Sequence, residues 1–340
     1  MTGTAAGGAD TATATLEHEL EQHRIELTAY CYRMLGSSFE AEDAVQDTLV
    51  RAWKGYDRFE GRASLRSWLY RIATNVCFDQ LDGRSRRARP MDLGPALTAD
   101  ATLGPPLPES SWIQPVPDDR VVPETGDPAE LAELRETVRL AFVATLQHLP
   151  PRQRAVLILR EVLQWQAAEV ADLLGTTAAS VNSLLQRARA TLADKGVTDS
   201  DPQRPLDDEQ DELLSRYVDA FERYDLDSLT SLLYEDATWT MPPYELWLQS
   251  HDDIRRWCLG PGAGCRGSRL LATRANGSPA FAHYKPSASG LGHDAWSLQV
   301  LEVSGDRIAG ITFFLDTARF FPIFGLPLTL EPSHGGVAPA

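Results

Sequence analysis

Two hydrophobic periods divide the chain. Up to about residue 195 apolar side chains recur at three- and four-residue spacing, whereas beyond residue 236 they alternate or run in short β-branched and aromatic stretches. Ser37-Ser38-Phe39-Glu40 has capping-box spacing, and the helix it opens places Ala41, Ala44, Val45, Leu49, Ala52 and Trp53 on one stripe. Ser64 can cap a further helix whose stripe is Leu65, Trp68, Leu69, Ile72, Ala73 and Val76. Both tryptophans lie on these stripes and are expected in the core. Gly36 and the stretch 54–61 interrupt the pattern, so residues 17–88 read as one helical module.

A second helical module covers residues 130–195. Leu149-Pro150-Pro151 ends one helix and starts the next at a first turn that tolerates proline, and Arg152 to Glu161 is amphipathic. Gln166 to Leu174 then predicts a short helix closed by Gly175, with Thr176-Thr177 as a turn before a helix from Ala178 to Ala193. This is helix-turn-helix spacing. The second helix packs through Val181, Leu184, Leu185, Ala188 and Leu192, which leaves Thr177, Ser180, Asn182, Ser183, Gln186 and Arg187 to face a major groove. Arg189 and Arg154 are expected on phosphate.

Helices from Glu212 to about Tyr234 and near Asp252 to Leu259 precede strands at 237–241, 270–275, 280–284, 295–303 and 307–315, with hairpin turns at Asn276-Gly277 and Gly305-Asp306. The fold class is therefore multidomain: two all-α modules followed by an α+β domain at residues 212–331. Residues 1–16 read as a disordered leader, 89–129 as a Pro/Gly-rich acidic linker, 196–211 as an acidic link and 332–340 as a tail. Within the linker, Trp112 to Asp119 is the one apolar island, and a plain tether and a docking segment both fit it.

Charge changes the picture of the helical modules. The net charge of −16 excludes a protein that simply coats nucleic acid, yet residues 51–89 hold ten Lys and Arg against four Asp and Glu, and residues 139–195 hold seven against four. Two basic islands thus sit in an acidic chain. In the first, Arg62, Arg66, Arg71 and Asn75 lie off the apolar stripe, interleaved with Tyr56, Phe59, Tyr70 and Phe78, a mixture suited to phosphates and unstacked bases. The preceding helix carries an acidic strip, Glu40, Asp43 and Asp47, with Gln46 beside it. The four cysteines have neither zinc-site nor disulfide spacing and read as thiols of a reducing cytosol; no apolar run is long enough to span a membrane. No metal or cofactor is expected.

The run Ala41 to Trp53, followed by Phe59 to Gly61 and Leu65 to Asn75, resembles conserved region 2 of the extracytoplasmic-function (group IV) sigma factors, and Leu149 to Arg154 with the helix-turn-helix resembles their region 4. The resemblance implies RNA polymerase core (β′ clamp and β flap) and promoter DNA as partners. It implies core contacts at Asp43, Gln46, Asp47 and Arg51, and a −10 reader built from Arg58, Phe59, Arg62, Ser64, Arg66 and Asn75, with region 4 as the −35 reader. Tyr217 to Phe221, Leu229 to Leu233, Asp236 to Pro242 and the late strands are similar to the SnoaL-like branch of the nuclear-transport-factor-2 superfamily, a cone of helices against a curved sheet. That resemblance implies regulation in cis and admits a small ligand in the cone. Tyr217, Asp236, Trp247, His283 and Asp316 are the candidates for lining its cavity; Asp236, His283, Asp294 or Asp316 could supply a base in a cyclase or isomerase, although Asp236 reads better as a cap and Trp239, Trp247, Trp296 and Phe313 as core. No catalytic residue is assigned. The rival readings are a core-independent helix-turn-helix regulator with a ligand-sensing domain, and a cyclase-like enzyme fused to DNA-binding helices.

Overall fold

The computed structural model describes residues 16–59, 61, 63–194 and 208–331. The expected leader, acidic link and tail lie almost wholly outside the described residues, and so does Arg62. The chain divides into two compact units, one taking in residues to 87 together with 119–199, the other residues 88–118 together with those from 200 onward.

In the first unit α1 (Arg24–Leu35), α2 (Ser38–Gly55) and α3 (Leu65–Leu81) pack around Leu27, Met34, Val45, Leu69 and Ala73, all fully buried. Gly36 makes the corner between α1 and α2 at φ 69°, its N–H donating to the Tyr32 carbonyl, and a Cβ there would stand 3.3 Å from both Arg87 and Gln147. Ser37 accepts from the Glu40 N–H at 3.2 Å and Ser64 from the Ser67 N–H at 3.1 Å, so both helices start where their capping residues placed them. Trp53 departs from expectation. It is 50% exposed, because the buried stripe of α2 ends one residue earlier at Ala52.

The rest of this unit comprises α4 (Pro128–Glu136), α5 (Leu140–Leu146), α6 (Pro151–Leu157) running into a π-helical turn at Ile158–Val162, α7 (Ala167–Leu174) and α8 (Ala178–Asp194). Two arginines lock these helices to α1. Arg33, fully buried, donates from Nε to the Thr137 carbonyl at 3.1 Å and from Nη2 to Thr137 Oγ1 at 2.6 Å. Arg154, 3% exposed, donates to the Met34 carbonyl, to Gln147 Oε1 at 2.7 Å, and to the Gln147 and Leu149 carbonyls at 3.3 and 3.1 Å. Burial lowers both guanidinium pKa values to about 10. The expectation that Arg154 meets DNA phosphate is thereby overturned: its donors are turned inward onto the Met34 carbonyl at the end of α1 and onto oxygens of Gln147 and Leu149.

The second unit is built on a sheet ordered β2-β1-β6-β5-β4-β3, from β1 (Leu233–Thr240), β2 (Trp247–Leu248), β3 (Arg269–Ala275), β4 (Ser278–Pro286), β5 (His293–Ser304) and β6 (Arg307–Phe314), with β7 (Thr329–Leu330) added to β5. Only β1 and β6 pair in parallel; the remaining pairs are antiparallel. The β3–β4 hairpin turns at Asn276-Gly277, both at positive φ, as the Asn-Gly pair predicts. Helices α9 (Asp208–Arg223), α10 (Leu226–Ser231) and α11 (His251–Leu259) share a core with the strands through Phe221, Leu229, Trp239, Ile254 and Phe313, and α12 (Thr317–Ile323) follows β6.

Residues 88–118 are a strap on this second unit. Leu97 N–H donates to the Trp247 carbonyl (2.9 Å), the Trp247 indole returns a bond to the Gly94 carbonyl (2.9 Å), and Leu107 N–H donates to the Pro243 carbonyl (2.9 Å). Val116 and Asn276 exchange two bonds at 3.0 and 3.1 Å, and Asp118 accepts from Gly277 N–H at 2.7 Å. Trp112, Ile113 and Val116 are buried. Of the two readings open for the apolar island, the docking segment is the one realised.

The inward role of Arg154 sets an expectation for stability. Arg154→Ala leaves four carbonyl-type acceptors without their donor, and urea unfolding of the full chain should record a loss of about 2–4 kcal/mol. A change below about 0.5 kcal/mol would place the residue at an ordinary surface site instead.

Candidate functional site

One face of α2 is laid open. Asp43, Gln46 and Arg51 are exposed and Asp47 is half-buried, with Asp47 and Arg51 paired at 2.8 Å and Arg51 reaching Asp79 at 3.6 Å. Val50 at 41% and Trp53 at 50% exposure share this face, since residues 43, 46, 47, 50 and 53 follow one another at helical spacing. Large apolar groups among charges on an accessible helix suit a protein partner better than water. Trp53 is the residue sequence reasoning missed; the signal was its place one position past the last buried residue.

Around α3 the candidates separate. Arg58 is exposed in the turn after α2, and Asn75 is exposed on α3. Phe59 stacks on Trp68 at 4.8 Å and on Tyr56 at 6.1 Å, making an aromatic shelf. Ser64 is occupied as a helix cap. Arg66 is paired with Glu26 at 2.7 Å and lies over the Tyr70 and Trp165 rings at 5.2 and 5.4 Å, so its charge is spent inside the helical unit rather than offered to DNA. Beside it Arg71 donates to the Asp172 carbonyl on α7 at 2.9 Å, which places α3 against the helix-turn-helix.

That motif has the expected form. Gly175, at φ 61°, ends α7, and Thr177 Oγ1 caps α8 by accepting from Ser180 N–H at 3.2 Å. Val170, Ala171, Val181, Leu185 and Ala188 are buried between the helices, while Asn182, Ser183, Gln186 and Arg187 are exposed on α8 and Ser180 is half-buried. Arg189 is exposed too, but its guanidinium is bound to Glu161 at 2.5 Å. The exposed row of amide, hydroxyl and guanidinium groups at 182, 183, 186 and 187 offers donors and acceptors of the kind that pair with base edges.

The second unit holds a cavity of about 140 Å³ inside a recess of about 740 Å³ that includes open solvent. Phe221, Leu229, Trp239, Trp257 and Phe313 are among its apolar lining, with the half-buried Lys285 and the exposed Trp296 at the rim. Of the five residues expected to line it, His283 does. Tyr217 is buried beside it, donating to Gln299 Oε1 at 2.7 Å; Asp236 faces solvent on β1; Trp247 is taken up by the strap; and Asp316 borders a different recess, between the strap and the sheet, with Leu107, Trp112, Pro242, Pro243 and Phe314. Asp294 is likewise exposed. Trp296, expected in the core, is 40% exposed under the Lys285 ammonium, which sits 3.2 Å from its ring centroid.

His283 is not placed to act as a base. Its ring nitrogens face Ser297 Oγ at 3.0 Å and Ser268 Oγ at 2.8 Å, Phe221 packs edge-on at 5.0 Å, and burial, with Lys285 adding to it, pushes the pKa down to about 3. Among the described residues no group of three or more His, Cys, Asp and Glu could hold a metal ion, and no helix is long and apolar enough to cross a membrane.

A polar-faced helix-turn-helix, a neighbouring basic and aromatic helix and an α+β cone together define a DNA-reading protein with an accessory pocket domain. Family signatures agree: Sigma-70 region 2 matches residues 20–87, Sigma-70 region 4 matches 131–192 and the SnoaL-like domain matches 214–311. The chain is 47% identical over 328 residues to the ECF RNA polymerase sigma factor SigG of Mycobacterium tuberculosis, spanning 95% of this chain and 86% of that one. It is 29% identical over 265 residues to SigJ of the same organism, spanning 75% and 77%. The crystal structure of that SigJ matches the fold with a TM-score of 0.59 at 22% identity, covering 92% of this chain and 99% of that one. The chain belongs to the ECF RNA polymerase sigma factors.

The depressed His283 carries a pH signature. The unfolded chain binds the imidazole proton from about pH 6.5 downward while the folded chain does not until about pH 3, so stability falls as pH falls through that window. At pH 5 the contribution amounts to about 2 kcal/mol relative to neutrality. Unfolding free energies from denaturant titrations at pH 7 and pH 5 should converge in His283→Gln by that amount; an unchanged pH dependence would mean that the ring is protonated in the fold.

Proposed function

We propose that this chain recruits RNA polymerase core to its promoters and that the second unit controls, in cis, how far its two DNA-reading modules can separate. The open face of α2, with Asp43, Gln46, Asp47, Arg51 and Trp53, docks on the β′ clamp, and the region-4 module meets the β flap. Arg58, Phe59 and Asn75 take the −10 element. Asn182, Ser183, Gln186 and Arg187 read the −35 element, with Thr177 and Ser180 presenting the start of the helix. Arg66 and Arg189 join them only after release from Glu26 and Glu161.

The observation that carries the control is the closure of the first unit. With α3 bonded to α7, the two readers touch, yet −10 and −35 elements lie about 25 base pairs apart, or roughly 85 Å along B-DNA at 3.4 Å per step. The closed form cannot serve both. The segment that must span the gap is the strap, and its roughly 30 residues could reach about 100 Å if extended. Held on the second unit by Trp112, Val116 and Asp118, the strap is withheld from that use. A small ligand in the cone is a natural effector of this state.

Run-off transcription with core polymerase tests both parts. Ser183→Ala with Gln186→Ala should reduce use of a cognate promoter by about five- to fifty-fold while leaving core binding intact. Truncation after Asp194 and the strap variant Trp112→Ala with Asp118→Ala should each change transcript yield, and yields equal to those of the intact chain would refute control in cis.

A further inference from the structure

We propose that the cone binds a small aromatic carboxylic acid of one or two rings, its ring against Trp239, Trp257 and Phe313 and its carboxylate on Lys285. This rests on the reading of the second unit as a regulatory ligand domain and gives that ligand a chemistry.

Most polar groups in the wall are already used. His283 has a serine hydroxyl at each ring nitrogen, and the Tyr224 hydroxyl donates to the Cys258 and Gly262 carbonyls at 2.5 and 3.0 Å. Burial raises the Cys258 thiol to about 12 and also raises Cys265, so both are neutral. Two donors stand out, one deeply buried and one charged. The Trp239 indole N–H, on a side chain 3% exposed, meets no acceptor among the described residues. Among the described residues the Lys285 ammonium pairs with no carboxylate, Asp294 directly across from it on β5 being exposed, and it lies over the Trp296 ring. Donors without acceptors select an acceptor, and a cation at the rim of an apolar hole selects an anion. The enclosed space of about 140 Å³ is close to that of an apolar protein cavity of about 150 Å³ that admits benzene. A ring therefore fits inside, with its charged substituent at the mouth.

The probe pair is 2-naphthoate and its neutral isostere 2-naphthamide, titrated into the full chain without polymerase and followed by calorimetry and tryptophan fluorescence. The acid should bind about ten-fold or more tightly than the amide. Lys285→Gln should bring the acid to within about two-fold of the amide, Lys285→Arg should keep the preference, and Asp294→Asn should strengthen acid binding. Absence of binding by either compound, equal binding of the two to the wild-type chain, or a preference that survives Lys285→Gln would overturn the proposal. Because the readout needs no promoter, failed cis-control in transcription leaves a positive binding result standing, and failed binding leaves promoter recruitment untouched.

Discussion

A guanidinium carried out of water has to find oxygen atoms, and in the first unit two of them find those atoms on helices distant in sequence. Arg154 reaches the carbonyl at the end of α1, and Arg33 reaches back to Thr137 between α4 and α5. The satisfaction is incomplete: Arg33 Nη1 and Arg154 Nε are left without acceptors among the described residues. An interior that holds charge on these terms is held by geometry rather than by surplus energy. In the same unit α3 packs on α7 and Arg66 lies over the Trp165 ring.

Much of the local structure was legible in the sequence. Capping residues Ser37 and Ser64, the corner at Gly36, the Gly175 turn and the Asn-Gly hairpin each have a chemical signature confined to a few neighbouring residues, and the structure places each one accordingly. The exposed row on α8 follows from the same arithmetic, because the apolar stripe at Val181, Leu185 and Ala188 fixes what faces away.

What escaped the sequence depends on partners far along the chain. Arg154 reads as a phosphate contact because nothing near it shows the carbonyl of Met34 more than a hundred residues earlier. Trp53 reads as core by helical phase alone, but phase does not say where the neighbouring helix stops. The cavity wall was similarly hidden: Tyr217 and Trp247 are aromatic, yet one is spent on Gln299 and the other on the strap, while Lys285 gives no hint in sequence that it rims a hole. The linker hid its placement most completely. A Pro- and Gly-rich acidic stretch has the composition of a tether, and only its hydrogen bonds to Trp247, Pro243 and Asn276 distinguish a segment that is seated from one that is loose.

The ends of β1 and β6 form a wall one residue thick. Met241, Phe313 and Leu315 line the cavity, whereas Pro242, Pro243, Phe314 and Asp316 border the recess that the strap lines from the other side. Because neighbouring residues of an extended chain face opposite ways, a molecule lodged on one side of this septum presses on the very backbone that anchors Leu107 on the other. The two chambers therefore share a partition, and the same short run of chain furnishes the wall of both.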